Sequence, residues 1–76
     1  MKMKIEKTNH KVGQNQIYRV LKNGVQYGYI AHHRGSDAYH FTSENLIKNP
    51  IAIYLAKTIW LDKAPKYVQK ELIEAF

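Results

Sequence analysis

Histidine, arginine and tyrosine side chains crowd one short segment of the sequence. His32, His33 and Arg34 precede a Gly-Ser-Asp run, and Tyr39 and His40 follow it. Small basic ribonucleases work with such side chains alone, using a general base and cations that stabilise charge on phosphorus. No spacing here is diagnostic of that reaction. A small basic ribonuclease is therefore kept as an alternative, and no catalytic residue is assigned.

The same histidines are poorly placed for a metal ion. Adjacent His32 and His33 point to opposite faces of a strand and cannot both bind one ion from regular geometry. His33 and His40 can approach each other, but only Asp37 supplies a carboxylate nearby. The sequence contains no cysteine, which excludes thiolate-held zinc and iron–sulfur sites and suits a reducing cytoplasm. We predict no metal site and no cofactor.

The positive charge is concentrated in one part of the chain. The 76 residues carry 12 Lys or Arg and 6 Asp or Glu, a formal charge of +6 with the histidines neutral. Residues 1–34 hold seven of the basic residues and a single acid, whereas residues 35–76 hold five of each. Clustered basic residues are typical of proteins that bind nucleic acids or acidic protein surfaces.

Two turn signals predict the strands that carry these residues. Asn23-Gly24 lies between two runs rich in Tyr, Val and Ile, which is the strongest short signal for a β-hairpin with a type I′ turn. A second turn around Gly35-Ser36 leads into Ala38-Tyr39-His40-Phe41. These signals predict a three-stranded antiparallel meander over about residues 15–42. Residues 1–12 form either a basic arm or an edge strand.

The two-residue turn predicts which side chains share a face. If Lys22 opposes Val25, then Tyr18 opposes Tyr29 and Val20 opposes Tyr27. One face then carries the apolar core, which includes Ile17, Leu21, Ile30, Tyr39 and Phe41. The other face carries Tyr18, Tyr27 and Tyr29, with Lys22, His33 and His40 near its rim. Such tyrosines can stack on bases when exposed, or be covered by a C-terminal helix.

The second half of the chain predicts helices. Thr42-Ser43-Glu44 suits a helix N-terminus, and Pro50 favours the first position of another helix. We expect two or three helices, over about residues 43–48, 50–61 and 65–75. The 50–61 helix is apolar nearly all round, with Lys57 as its one charge, so it needs burial on more than one side. A second copy of the chain would supply that burial, which makes a homodimer through this helix a hypothesis.

The sequence therefore predicts one α+β domain: a three-stranded antiparallel meander packed against two or three C-terminal helices. With 45% hydrophobic residues it is too apolar for a disordered chain, and no run approaches the ~20 residues of a membrane span. We expect a non-enzymatic module that binds DNA or RNA. The residues expected to make contact are Lys2, Lys4, Lys7, Lys11, Tyr18, Lys22, Tyr27, Tyr29, His33, Arg34 and His40. The alternative is a small accessory or inhibitor protein, of the phage or mobile-element type, that binds an acidic surface of a partner protein.

Overall fold

Five antiparallel strands and one C-terminal α-helix make up the fold in a computed structural model, which describes residues 2–76. The strands form one sheet in sequence order. They are β1 (Met3–Val12), β2 (Asn15–Lys22), β3 (Val25–His33), β4 (Ala38–Thr42) and β5 (Lys57–Trp60), and the helix is α1 (Lys66–Ala75). Short 3-10 helices span Pro50–Leu55 and Leu61–Lys63. The α+β class is confirmed, but the sheet has five strands where three were predicted.

The β2–β3 hairpin has the turn that its sequence predicts. Asn23 has φ of 52° and Gly24 has φ of 81°, so both central residues have the positive φ of a type I′ turn. Lys22 pairs with Val25, as expected. The next hairpin also follows the prediction, since Ile30 pairs with Phe41.

The predicted register of β2 with β3 is wrong beyond its first pairs. Leu21 pairs with Gln26 but Val20 pairs with Gly28, so Tyr27 has no partner in the ladder. This β-bulge shifts every later pair by one residue: Tyr18 lies opposite Ile30, and Tyr29 lies opposite Arg19. Because side chains alternate along a strand, a one-residue shift moves each later side chain of β3 to the other face relative to β2.

Both faces of the sheet are covered. On one face, here called the helix face, Val68 and Leu72 of α1 pack on a cluster of buried strand side chains. That cluster consists of Ile5, Tyr18, Val20, Ile30 and Tyr39. On the opposite face, here called the loop face, Leu46 and Ala52 of the segment between β4 and β5 cover Ile17, Tyr29 and Ala31. The expected single core face is therefore replaced by two smaller cores.

The helix predicted over about 43–48 is wrong, since turns and bends replace it. Side-chain oxygens compete here for the backbone N–H groups that a helix would use. Thr42 Oγ1 accepts from the Glu44 N–H at 3.1 Å, and Asn45 Oδ1 accepts from the N–H groups of Ile47 and Lys48 at 3.0 and 3.1 Å. Such local side-chain bonds favour turns over helix.

The helix predicted over 50–61 is also wrong. Pro50 does begin a helix, but it is a 3-10 helix that ends at Leu55, and Lys57–Trp60 then forms β5. The run Thr58-Ile59-Trp60 is β-branched and aromatic, which fits the pleated edge of a sheet better than a helix. Pairing with β4 also satisfies backbone groups that β4 would otherwise expose. A homodimer through a 50–61 helix therefore has no such helix to use.

The C-terminal helix lies where the 65–75 pattern predicts it, and it buries Val68 and Leu72. Among residues 2–76, no helix has the length and apolar character needed to cross a membrane.

Candidate functional site

An open cleft of about 670 Å³ lies on the helix face, at one end of the sheet. The β1–β2 turn and the β3–β4 turn form two of its walls, and the end of α1 forms a third. Its lining includes Lys7, Lys11, Gln16, Tyr18, His32, Arg34, Asp37 and Phe76. Three of the basic residues expected to contact a partner, Lys7, Lys11 and Arg34, meet here.

A second irregularity, in β1, positions the two lysines. Lys7 pairs with Tyr18 and Lys11 pairs with Gln16, so Thr8, Asn9 and His10 together stand opposite the single residue Ile17. The partners Tyr18 and Gln16 are two residues apart and lie on one face. Their lysines are therefore held roughly 6.6 Å apart along the ladder, whereas four residues of regular strand would separate them by about 13 Å.

The bulge in β1 is closed by hydrogen bonds from polar side chains. The Gln16 side-chain amide donates to the carbonyl oxygens of Thr8 at 2.5 Å and His10 at 3.0 Å. The Thr8 hydroxyl donates to the Ile17 carbonyl at 2.7 Å. Gln16 thus fixes the backbone between the two lysines. Gln16 itself lies in β2 and lines the cleft.

The cations of the cleft are not neutralised by neighbouring acids. In the described part of the chain, one salt bridge is found, between Lys4 Nζ and Glu6 Oε2 at 3.4 Å, and neither residue lines the cleft. Asp37 is the one acidic side chain in the cleft lining. Lys7, Lys11 and Arg34 therefore outnumber the acids and give the cleft a positive potential.

Aromatic rings form the inner wall of the cleft. The Phe76 ring stacks on the His32 imidazole with centroids 3.7 Å apart and planes 5° apart, and it contacts Tyr18 at 5.1 Å. Phe76 is 38% exposed, whereas Tyr18 and His32 are buried. Burial raises the pKa of the Tyr18 phenol, which extends the alkaline range over which it stays neutral. The buried rings of His32 and Tyr18 thus hold the Phe76 ring in place at the wall of the cleft.

The expected tyrosine face does not form. Tyr18 lies buried on the helix face and Tyr29 lies buried on the loop face, because the bulge at Tyr27 separates them. Only Tyr27 is exposed; it stacks on Phe41 at 5.5 Å, and Lys22 Nζ lies 4.2 Å from its ring centroid. The three tyrosines cannot act as one stacking surface.

The other three lysines predicted to contact a partner lie at the other end of the sheet. Lys2 is tied to the β2–β3 turn, where its N–H donates to Asn23 Oδ1 at 3.0 Å and its carbonyl accepts from the Asn23 N–H at 2.7 Å. Lys4 is paired with Glu6, and Lys22 covers Tyr27. Lys2, Lys4 and Lys22 do not line the cleft.

The histidine and tyrosine set considered for ribonuclease chemistry does not converge. His33 Nε2 bonds Gln14 Oε1 at 2.7 Å, and His40 Nδ1 bonds Thr58 Oγ1 at 3.0 Å. Tyr39 is buried on the helix face, while its neighbour His40 lies on the loop face. Within residues 2–76, no group of three or more His, Asp or Glu side chains is arranged to hold a metal ion.

Sequence reasoning missed Gln16, His32 and Phe76 as parts of the cleft. Phe76 was visible only as the last member of the helical stripe Val68-Leu72-Phe76. Nothing local in the sequence pairs it with His32, which lies in β3. Comparisons of the chain with protein-family models, curated proteins and solved structures found no match.

Proposed function

We propose that the protein is a non-enzymatic nucleic-acid-binding module that holds the phosphates of a single strand in the helix-face cleft. The observation that carries this proposal is the grouping of Lys7, Lys11 and Arg34, which lack salt-bridge partners among the described residues, around one opening. A reducing cytoplasm suits a chain without cysteine, and we propose that compartment for its action.

The lysine spacing supports a polymer ligand. Two cations held roughly 6.6 Å apart on one strand face match the spacing of successive phosphates along an extended nucleic-acid chain. A basic groove that follows the backbone, with aromatic rings for the bases, is typical of single-strand binders. Phe76 lines the cleft and is partly exposed, so its ring can offer one base a stacking surface beside those phosphates.

The covered sheet faces favour a single strand over a duplex. A sheet that reads the major groove must present an open face of alternating side chains. Here α1 covers one face and the segment 46–53 covers much of the other. The cleft is open at one end of the sheet, where a flexible strand can enter more easily than a rigid duplex.

The test is a titration of fluorescent single-stranded and duplex oligonucleotides over a series of salt concentrations. With three phosphates neutralised, log K against log salt for a single strand should have a slope of about −2, from roughly −0.7 per phosphate. Lys7→Ala, Lys11→Ala and Arg34→Ala should each weaken binding and make the slope shallower by about 0.7.

Lys48→Ala is the matched control. It removes the same charge from an exposed lysine in the segment between β4 and β5, outside the cleft, and should leave the slope unchanged. If neither oligonucleotide binds at about 50 mM salt, where electrostatic binding is strong, the proposal is wrong. That result would favour the alternative, an accessory or inhibitor protein that binds an acidic partner surface. Equal losses in all four variants would also contradict the assignment of the cleft.

A further inference from the structure

The two edges of the sheet are protected very differently. β1 forms one edge and carries Lys4, Lys7 and Lys11 together with a bulge, which are features that block pairing with another strand. β5 forms the other edge and has Lys57 as its one charged residue. Trp60 at the end of β5 is 58% exposed. β5 is short, but it has one lysine and no bulge, so it is the less protected of the two edges.

Backbone groups of β5 are available at this open edge. The Leu61 N–H donates to the Asp37 carbonyl at 2.9 Å, just beyond the pair Trp60 and Ala38. Hydrogen-bonded and non-hydrogen-bonded pairs alternate along an antiparallel ladder. Because Leu61 belongs to a hydrogen-bonded pair, Ile59, two residues earlier, belongs to one as well. The N–H and C=O of Ile59 therefore point toward β4, whereas those of Thr58 and Trp60 point away from the sheet.

Large apolar side chains stand exposed immediately before β5. Tyr54 is 85% exposed, Leu55 is 84% exposed and Ile51 is 72% exposed, all in the 3-10 helix. Only Ala56 separates Leu55 from β5, so Leu55 lies within about 7 Å of the strand along the chain. These three side chains and Trp60 thus form an apolar surface beside the edge strand, and no other part of residues 2–76 covers it.

We propose that β5 pairs with β5 of a second copy, in an antiparallel arrangement centred on Ile59. In this register Thr58 lies opposite the partner's Trp60 and exchanges two hydrogen bonds with it. The two-fold symmetry of the dimer generates a second, identical pair between Trp60 and the partner's Thr58. Ile59 meets its own counterpart on the helix face. No like charges stand directly opposite one another, and the two sheets become one of ten strands.

The charge distribution argues that the occupant is a second copy. Each copy carries a formal +6, so two copies repel unless they meet where charge is balanced. The strands β1 to β3 and the turn after β3 carry the excess. β5 lies at the far edge of the sheet and belongs to residues 35–76, which hold five basic and five acidic residues. The same neutrality gives an acidic partner no reason to choose this edge.

The interface is small, which sets the expected strength. Stable pairs bury roughly 800 Å² on each partner, and one aromatic side chain contributes about 150–250 Å² when fully buried. Tyr54 and Leu55 together with the four residues of β5, of which Trp60 is one, fall short of that standard area. The dimer should therefore exchange with monomer in the micromolar to millimolar range.

Sedimentation equilibrium of the full chain tests this, with the apparent mass expected to rise from 8.9 kDa toward twice that value as concentration increases. Trp60→Pro removes an outward N–H, and the φ of −77° at Trp60 fits proline, so the strand itself can keep its geometry. Trp60→Lys places a charge on the same edge. Both variants should remain monomeric.

Tyr67→Lys is the control, because Tyr67 is a similarly exposed aromatic residue on α1 and lies outside β5. It should associate as the parent chain does. Hydrogen exchange adds a second readout: the Thr58 and Trp60 amides should become slower to exchange as concentration rises, and the Ile59 amide should change little. A monomeric mass up to about 1 mM, or equal dissociation in Tyr67→Lys, would overturn the proposal. Neither result would affect the cleft.

Discussion

The aromatic ring of Phe41 lies directly against the backbone of Gly28. A Cβ atom built on Gly28 would stand 2.8 Å from Cε2 and Cζ of Phe41 and 2.8 Å from the backbone oxygen of Thr42. Gly28 follows the bulged residue Tyr27, whose own ring stacks on Phe41. The missing side chain at Gly28 is thus what lets β4 close on the bulge.

Gly28→Ala should lower the free energy of unfolding by about 1–3 kcal/mol, because neither a backbone oxygen nor a packed ring can yield without strain. Urea unfolding followed by circular dichroism measures the change. Gly13→Ala is the comparison: its site has open space but φ of 62°, so only backbone strain of roughly 1–2 kcal/mol applies. A Gly28→Ala variant as stable as the parent chain would mean that β4 does not pack here as described.

Much of the local structure was predictable, and the long-range register was not. Asn23-Gly24 carries its turn type in the residues themselves, and the β3–β4 register follows from the next turn. The bulge at Tyr27 depends on Phe41 and β4, which are distant in sequence. A glycine inside a strand pattern was its one local signal, since such glycines often mark bulges or close backbone approaches.

The candidate site shows the same division. The charge excess in residues 1–34 was visible in the sequence. That some of these basic residues line the cleft and others lie at the opposite end of the sheet was not. Lys7 and Lys11 become close neighbours only because residues 8–10 bulge out, and Gln16 stabilises that bulge from another strand. The helix prediction for residues 50–61 was wrong because an apolar run of this kind fits both a buried helix and an edge strand preceded by a turn.

Gln16→Ala should weaken single-strand binding without changing the salt slope. The substitution removes no charge, but it removes the donor to the Thr8 and His10 carbonyls and so loosens the spacing of the two lysines. It should also cost about 1–3 kcal/mol of stability, because two hydrogen bonds are lost and each has a net value of roughly 0.5–1.5 kcal/mol. Gln26→Ala, at an exposed position of β3, is the control and should alter neither quantity. A shallower slope in Gln16→Ala would show that the variant changed the number of phosphates bound.

Phe76→Leu should move the proton resonances of the His32 ring downfield in an NMR spectrum. The parallel rings 3.7 Å apart place those protons in the shielding region of Phe76, and leucine has no ring current. The loss of stacking on His32 and Tyr18 should destabilise the fold by about 1 kcal/mol. Tyr67→Leu changes an exposed aromatic residue of the same helix and should leave the His32 resonances in place. Unshifted His32 resonances in Phe76→Leu would contradict the stacked arrangement.

Stability should fall on the alkaline side because of two buried phenols. Burial raises the pKa of Tyr18 and of Tyr39 above the ordinary value of 10.0. Below pH 10 both the folded and the unfolded state keep these protons, and the tyrosines add no pH dependence. Above pH 10 the unfolded chain releases them first, so the free energy of unfolding decreases as pH rises.

Urea unfolding from about pH 8 to 11 measures the slope of the free energy of unfolding against pH. Tyr39→Phe should make this slope shallower, because phenylalanine has no proton to lose. Tyr67→Phe, at an exposed site, should retain the full slope, and identical slopes in Tyr39→Phe and the parent chain would count against the burial of the Tyr39 phenol.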